Sequence, residues 1–156
     1  MKLSYNWLNE FVDLSGIAPK ELADLLTMKT CEVEGFAVFM GHMNTIKVAH
    51  IDELTKHPDA DKLRICKVNI GSEVLQIVTG AANVEQGKKF PVAGVGVALP
   101  DGRTMQKAKL RGVESFGMLC SGNELGITQL AYAPAQIDGL MPLPDDFKTG
   151  APLSDY

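Results

Sequence analysis

A mainly β fold, a small closed antiparallel barrel preceded by a short helical segment, is the class that this 156-residue sequence predicts. Three observations carry that reading. Before residue 40 the apolar residues recur at helical spacing, whereas from Gly41 onward they fall into short alternating runs. Those runs are separated by Gly-rich turns, and a set of short antiparallel strands removes its unpaired edges by closing on itself. With 46% hydrophobic residues, the chain can build one well-buried core, or one domain and part of a second.

Taken in order, Ser4 can cap a first helix, in which Trp7, Leu8, Phe11 and Val12 lie at helical spacing. Pro19 suits the first position of a second, whose stripe of Leu22, Leu25 and Leu26 ends near Thr27. Helices this short cannot bury their stripes alone and are expected to pack on something else. Ile46, Val48 and Ile51 begin a strand that leads to His57-Pro58. Leu63 to Ile70 alternate up to a turn at Gly71-Ser72, and Leu75 to Val78 return as a hairpin. Asn83 to Gly87 suit one helical turn, and Phe90 to Leu99 read as a further strand in which Gly94 and Gly96 permit a sharp bend. Pro100-Asp101-Gly102 is a turn signal, and the tail from Ile137 through Leu140, Met141, Leu143 and Pro144 reads as a closing strand. Residues 1–40 are thus expected to be a helical segment of an incomplete small domain, 41–150 the barrel, and 151–156 the start of the next segment.

Bulk properties exclude several classes. No apolar run approaches the roughly 20 residues of a membrane helix, and the first residues turn polar too soon for a secretory signal, so a cytoplasmic location is expected. Cys31, Cys66 and Cys120 are an odd number at wide spacing, which suits reduced, mostly buried thiols; no CxxC or HxxxH pair anchors a zinc site. The net charge of −4 argues against a nucleic-acid partner, but its distribution argues for one. Residues 1–40 carry three basic and six acidic side chains, residues 41–112 eleven and seven, and residues 113–156 one and six. An ordinary solvated surface remains the alternative for that central excess.

Two stretches concentrate the cations. In His57-Pro58-Asp59-Ala60-Asp61-Lys62-Leu63-Arg64-Ile65-Cys66-Lys67-Val68, the side chains of Lys62, Arg64 and Lys67 flank a strand, with Asp59 and Asp61 available to cap a turn. In Lys107-Ala108-Lys109-Leu110-Arg111, an extended backbone would point all three cations to one face, a track that phosphates could follow. An edge strand protected from aggregation by lysine is the alternative.

The segments HPDADKLRICKV, IVTGAANVEQGKKFPVAGVGVALPDG and KAKLRGVESFGMLCSGNELG closely resemble the tRNA-binding domain that forms an oligonucleotide/oligosaccharide-binding (OB) barrel in several translation proteins. The opening MKLSYNWLNEFVDL and the later TCEVEG narrow the resemblance to the β subunits of bacterial phenylalanyl-tRNA synthetase. That resemblance implies a five-stranded OB barrel, tRNA and the synthetase α subunit as partners within an α2β2 enzyme, and no membrane. It implies a fragment of a longer subunit, without the aminoacylation and editing sites and without a cofactor of its own; ATP and magnesium belong to the intact enzyme. Carried over by position, the RNA-binding surface would involve Lys62, Arg64, Lys67, Asn83, Lys109, Arg111, Ser115, Met118 and Ser121. Lysine and arginine would meet phosphates, Asn83 and the serines would donate to phosphate or sugar oxygens, and Met118 would offer an apolar face to a base. Between residues 41 and 120 the only aromatic rings are Phe90, Phe116 and three histidines, so binding is expected to be mainly electrostatic.

The remaining motifs carry less. His42, His50 and His57 recur at a spacing that a strand does not bring together, and His57 before Pro58 suits a surface or capping role better than a metal. Ser115 and Ser121 lack a His/Asp set, Cys66 and Cys120 sit among apolar residues, and Gly94/Gly96 lack the third glycine of a dinucleotide loop. No catalytic residue is assigned. The expected core is Trp7, Phe11, Leu22, Leu25, Ile65, Val68, Ile77, Val78, Val92, Val97, Leu110, Leu119 and Leu125. The competing readings are a domain that holds the β subunit together and a stand-alone tRNA-binding protein.

Overall fold

The structure is a computed structural model, which describes residues 2–36, 41–127 and 139–155. It divides into two compact units, Met1–Phe39 and Met40–Tyr156, and each is taken by itself. In the first, the Ser4 hydroxyl accepts the Trp7 N–H at 3.4 Å and starts α1 (Tyr5–Leu8). The helix ends sooner than its apolar stripe, because Asn9 turns its side chain to accept the Leu14 N–H at 2.8 Å. Pro19 opens α2 (Pro19–Lys29) from its first position, and the helix runs two residues beyond Thr27. The stripes of both helices are visible to solvent: Phe11 is 73% exposed, Trp7 49% and Leu25 39%, and Leu22 is half-buried. These four expected core residues are therefore corrected. Periodicity located the stripes, but neither helix buries a residue.

In the second unit a short 3₁₀ turn (Gly41–Asn44) leads into β1 (Lys47–His57), followed by β2 (Ala60–Asn69), β3 (Val74–Thr79) and β4 (Lys89–Gly94). A two-stranded ribbon, β5 (Ala108–Leu110) and β6 (Val113–Ser115), precedes β7 (Gly117–Leu119). The main sheet has the antiparallel order β3-β2-β1-β4-β7. Irregularities in β1 between Ile51 and Glu53, and between Lys56 and His57, bend the strand so that it pairs with β4 at one end and with β2 over the rest. The Phe116 N–H donates to Gln76 O at 2.9 Å, and the Val78 N–H donates to Ser115 Oγ at 3.1 Å, which draws β3 against the segment leading into β7. The result is a nearly closed five-stranded OB barrel. Gly117 makes the closure possible: at φ 147° its missing Cβ would stand 2.6 Å from the Ala93 carbonyl oxygen.

Ile51, Cys66, Val68, Ile77, Phe90, Val92 and Leu119 fill one buried cluster, and Ile46, Val48, Cys120, Leu125 and Met141 belong to a second. Val68, Ile77, Val78, Val92, Leu119 and Leu125 are buried as expected, whereas Ile65 and Val97 are half-buried and Leu110 is 39% exposed on the ribbon. Three local expectations also change. Asn83–Gly87 forms no helical turn, because Asn83 spends its amide on the backbone of Leu140, donating at 2.8 Å and accepting at 3.0 Å. The strand from Phe90 stops at Gly94, and Gly96, at φ 89°, turns the chain into a hairpin around Pro100-Asp101-Gly102, where Leu99 N–H donates to Arg103 O at 2.8 Å. The tail makes single bridges rather than a strand, Leu140 with Ser121 and Leu143 with Lys89, although Leu140, Met141 and Leu143 are buried; Ile137 lies outside the described residues.

Candidate nucleic-acid interface

The β1–β2 connection and the ribbon meet in an open cleft of about 440 Å³, lined by Asp59 of the β1–β2 turn, by Ala60, Asp61, Lys62 and Leu63 at the start of β2, and by Arg111 from the ribbon tip. The ribbon joins β5 to β6 through Arg111-Gly112, with φ 47° and 89°, the left-handed pair of a two-residue turn. Among the described residues Arg111 alone, apart from glycines, has a positive φ. Since Leu110 pairs with Val113 across this turn, Arg111 is held out at the tip instead of lying in line with Lys109. Only three residues of the cation segment are in strand, and Lys107 is turned to Glu114 at 2.8 Å, its ammonium 4.8 Å from the centre of the Phe116 ring. The expected single-faced row of Lys107, Lys109 and Arg111 is therefore corrected: a twist at the tip and an ion pair at the base split it into separate groups. Glu114 also stands opposite Lys109, and the hydrogen bond from Lys107, helped by the charges of both lysines, holds its carboxyl below the usual range.

The sequence-derived residues separate by what their side chains touch. Lys62 and Arg111 are exposed and share the cleft; Lys109 is exposed beside it on the ribbon, and Lys67 is exposed on β2, in register with Glu53 and Gln76. Arg64 is half-buried, its guanidinium donating to the carbonyls of Asp61 at 3.1 Å and Leu63 at 3.2 Å. Its cross-strand partner is Lys56. Like charges placed opposite each other on a sheet repel, and an anion between them relieves the repulsion.

Other expected contacts are engaged internally. Ser115 is 2% exposed; its hydroxyl accepts from Val78 N–H and donates to Gly117 O at 3.0 Å, so it closes the barrel and has no free face for RNA. Asn83 holds Leu140, as described above. Ser121 donates to Glu124 at 2.9 Å, and the half-buried Met118 packs against the second core cluster. For Ser115 the expectation is corrected, because a hydroxyl on a three-residue strand beside a closing edge is consumed by the backbone it faces.

Sequence reasoning missed the acidic half of the cleft. Asp59 and Asp61 offset part of the charge of Lys62 and Arg111 there, so attraction for an anion draws on Lys56, Arg64 and Lys109 as well as on those two. Of the surface or capping role expected for His57 the capping half holds, since its ring accepts the Asp59 N–H, but the side chain is 4% exposed rather than on the surface and bonds to both sides of the cleft. The remaining histidines are apart: His50 Nδ1 lies 2.6 Å from Asp52 Oδ1, and His42 Nε2 2.9 Å from Leu125 O. Burial pushes the Cys66 thiol up to about 11; burial and then the Glu124 carboxylate push Cys120 up to about 12, so both are inert at neutral pH; Cys31 is exposed, and with two of the three buried the thiols are mostly buried as expected. Among the described residues no helix is long and apolar enough to cross a membrane.

Comparison with known proteins matches this picture. The family described as "Putative tRNA binding domain" matches residues 46–152. The chain is 46% identical over 155 residues to the phenylalanine–tRNA ligase beta subunit of Geobacter sulfurreducens, and 47% identical over 155 residues to that of Oleidesulfovibrio alaskensis. Each match covers 99% of this chain and 18% of the relative, so the chain spans about a fifth of the length of these proteins. Among solved structures, the MetRS related protein from Pyrococcus horikoshii superposes with a TM-score of 0.51 at 28% identity, over 76% of this chain and 97% of that one. A barrel that closes through residues 114–117, presents cations from two of its loops and matches over residues 46–152 leads to one conclusion: the chain belongs to the tRNA-binding domain family, and nearly all of it is similar to part of the phenylalanine–tRNA ligase beta subunit.

Proposed function

We propose that this chain is the tRNA-binding module of a phenylalanyl-tRNA synthetase β subunit, and that it grips the RNA backbone at the cleft between the β1–β2 turn and the ribbon tip. The observation that carries the reading is the meeting of Lys62 and Arg111 there. In OB barrels the connection between the first two strands and the one between the fourth and fifth are the loops that close on oligonucleotides. Here those loops are the β1–β2 turn and the excursion from β4 to β7 that includes the ribbon. Lys62, Arg111 and Lys109 meet phosphates as exposed charges, with Arg64 and Lys56 behind them and Lys67 farther along β2. Few aromatic rings are available for stacking, since Phe90 is buried. Recognition is therefore of backbone and shape, weak for the module alone and sensitive to salt.

In the intact enzyme the module contributes to attaching phenylalanine to tRNA, in the cytoplasm and together with the α subunit in an α2β2 assembly. ATP and magnesium serve that larger enzyme. Among the described residues there is no cluster of three or more His, Cys, Asp or Glu that could hold a metal ion, and no step here runs through one. The test is a titration of bulk tRNA onto the full 156-residue chain at roughly 50 and 200 mM salt, repeated with Lys109→Ala/Arg111→Ala. Saturable binding that weakens with salt is expected, with the logarithmic salt slope falling by about 0.7–0.9 for each phosphate that the variant no longer neutralises and the melting temperature unchanged. An unchanged affinity and slope in the double variant excludes Lys109 and Arg111 from the interface; absence of binding at low salt points to a domain that serves the architecture of the subunit.

A further inference from the structure

We infer that His57 is the positioning residue of the RNA cleft, a buried imidazole that ties its two loops together and sets the reach of Arg111 relative to Lys62. The inference rests on the cleft reading above and gives it a mechanical part. His57 ends β1 at a register shift, where a bulge re-aims a side chain. The next residue is Pro58, which has no N–H, so the first donor available after the histidine is the Asp59 N–H, and His57 Nδ1 accepts it at 3.1 Å. An imidazole nitrogen that accepts carries no hydrogen, so in the neutral ring the hydrogen lies on Nε2. That atom stands 3.1 Å from the carbonyl oxygen of Leu110, to which it donates. Asp59 lines one wall of the cleft, and Leu110 immediately precedes Arg111 on the other.

This one ring therefore ties its own turn to a carbonyl 53 positions away from it in the chain, at 4% exposure and with a bond on each nitrogen. The need for it follows from the ribbon. β5 and β6 have three residues each and form a sheet of their own, and two-stranded pieces of this size are not rigid unaided. At the base the ribbon is held to β3 by Gln76 Nε2, which donates to Glu114 O at 2.8 Å, and by Ser115. Near the tip, His57 supplies a second point of attachment. With both in place, Arg111 is presented at a constant position; with the base alone, the tip would swing and the arginine would lose entropy on each binding event.

Two substitutions separate the bonds. Asparagine at this position can accept the N–H two residues on, as in an Asx turn, but is too short for Leu110; glutamine reaches Leu110 with its amide but does not reproduce the turn. For bulk tRNA at low salt, His57→Asn is expected to weaken binding by about three- to tenfold, the size of one hydrogen bond, and to reduce the salt slope as Arg111 disengages. His57→Gln recovers most of that affinity. In an Arg111→Ala background His57→Asn costs nothing further, because the two act through the same phosphate. A folding-independent check uses the parent chain, ¹⁵N-labelled at histidine, with the His57 signals assigned by their loss in His57→Gln: the His57 hydrogen is expected on Nε2, as is that of His42, whose Nε2 also faces a carbonyl oxygen. A hydrogen on Nδ1 of His57, or full affinity in a folded His57→Asn while Arg111→Ala binds weakly, overturns the proposal; a hydrogen on Nδ1 of His50, which faces the Asp52 carboxylate, does not bear on it. If Lys62→Ala and Arg111→Ala both bind tRNA like the parent chain, the cleft reading itself falls and takes the role of His57 with it.

Discussion

The two units of this chain use similar apolar residues to opposite effect. In Met1–Phe39 the large side chains Trp7, Phe11, Val12 and Met28 are all exposed, and the two helices bury nothing; in Met40–Tyr156, residues such as Ile46, Ile51, Val68 and Ile77 are sealed from water. The difference is one of topology. The barrel strands pair along their edges nearly to closure and are backed by the strands across the barrel, so a buried side chain meets neighbours from elements far apart in sequence. A four-residue helix and an eleven-residue one offer a stripe each and little to set against it. An amphipathic pattern announces that a face is to be covered; the closure of the tertiary structure decides whether it is.

The sharpest way to break this comparison is to truncate both sides of it. Ile77→Ala is expected to cost about 2–5 kcal/mol, through forfeited transfer energy and the cavity left behind, whereas Phe11→Ala should stay within about 0.5 kcal/mol. Urea unfolding followed on the barrel measures both, and equal shifts would refute the contrast.

The thiols extend the comparison to alkaline pH. Cys66 and Cys120 have folded pKa values of about 11 and about 12, above the ordinary 9.0, because the barrel disfavours the thiolate. Unfolding releases protons in this range, so their contribution is intact below pH 9 and is lost as pH rises from 9 towards 12, by up to about 3 kcal/mol for Cys66 and about 4 kcal/mol for Cys120. The Cys66→Ala/Cys120→Ala variant should show a shallower fall in urea midpoint between pH 9 and 11 than the parent chain. At pH 8, Cys31 alone should react with iodoacetamide in the folded protein, since it is the exposed cysteine.

The smallest of these effects separates structure from binding within the barrel. Ser115→Ala leaves the buried Val78 N–H without its acceptor and is expected to cost about 1–2 kcal/mol. Its tRNA affinity and salt slope should be those of the parent chain while it remains folded; a changed slope would return Ser115 to the interface.

The elements legible in the sequence were those whose evidence is local. Ser4 and Pro19 marked helix starts by their chemistry, and the alternation from Leu63 to Ile70, followed by Gly71-Ser72 and Leu75 to Val78, marked a hairpin because side chains on a strand must alternate. The misread segments answer to distant partners. Asn83 looked like part of a helical turn, yet its amide serves Leu140, 57 residues away. Gly96 looked like curvature within one strand and is instead the reversal that ends it. For the site, sequence identified charged residues without their pairing: Lys107 and Arg111 belong to one basic run, but one is neutralised by Glu114 and the other is thrust into the cleft by a left-handed backbone.

By itself, the sequence determined the barrel class, its first three strands and the cation-rich middle, because alternation, turn chemistry and charge are written in neighbouring residues, and the resemblance of whole segments such as KAKLRGVESFGMLCSGNELG pointed to the family. Only the tertiary structure decided that Ser115 closes the barrel instead of facing RNA, that Asp59 and Asp61 share the cleft with Lys62 and Arg111, and that His57 bridges its two walls. Each of those facts depends on which backbone groups are left unpaired once the sheet has closed, and a buried polar side chain is assigned its role by the unpaired group it finds there.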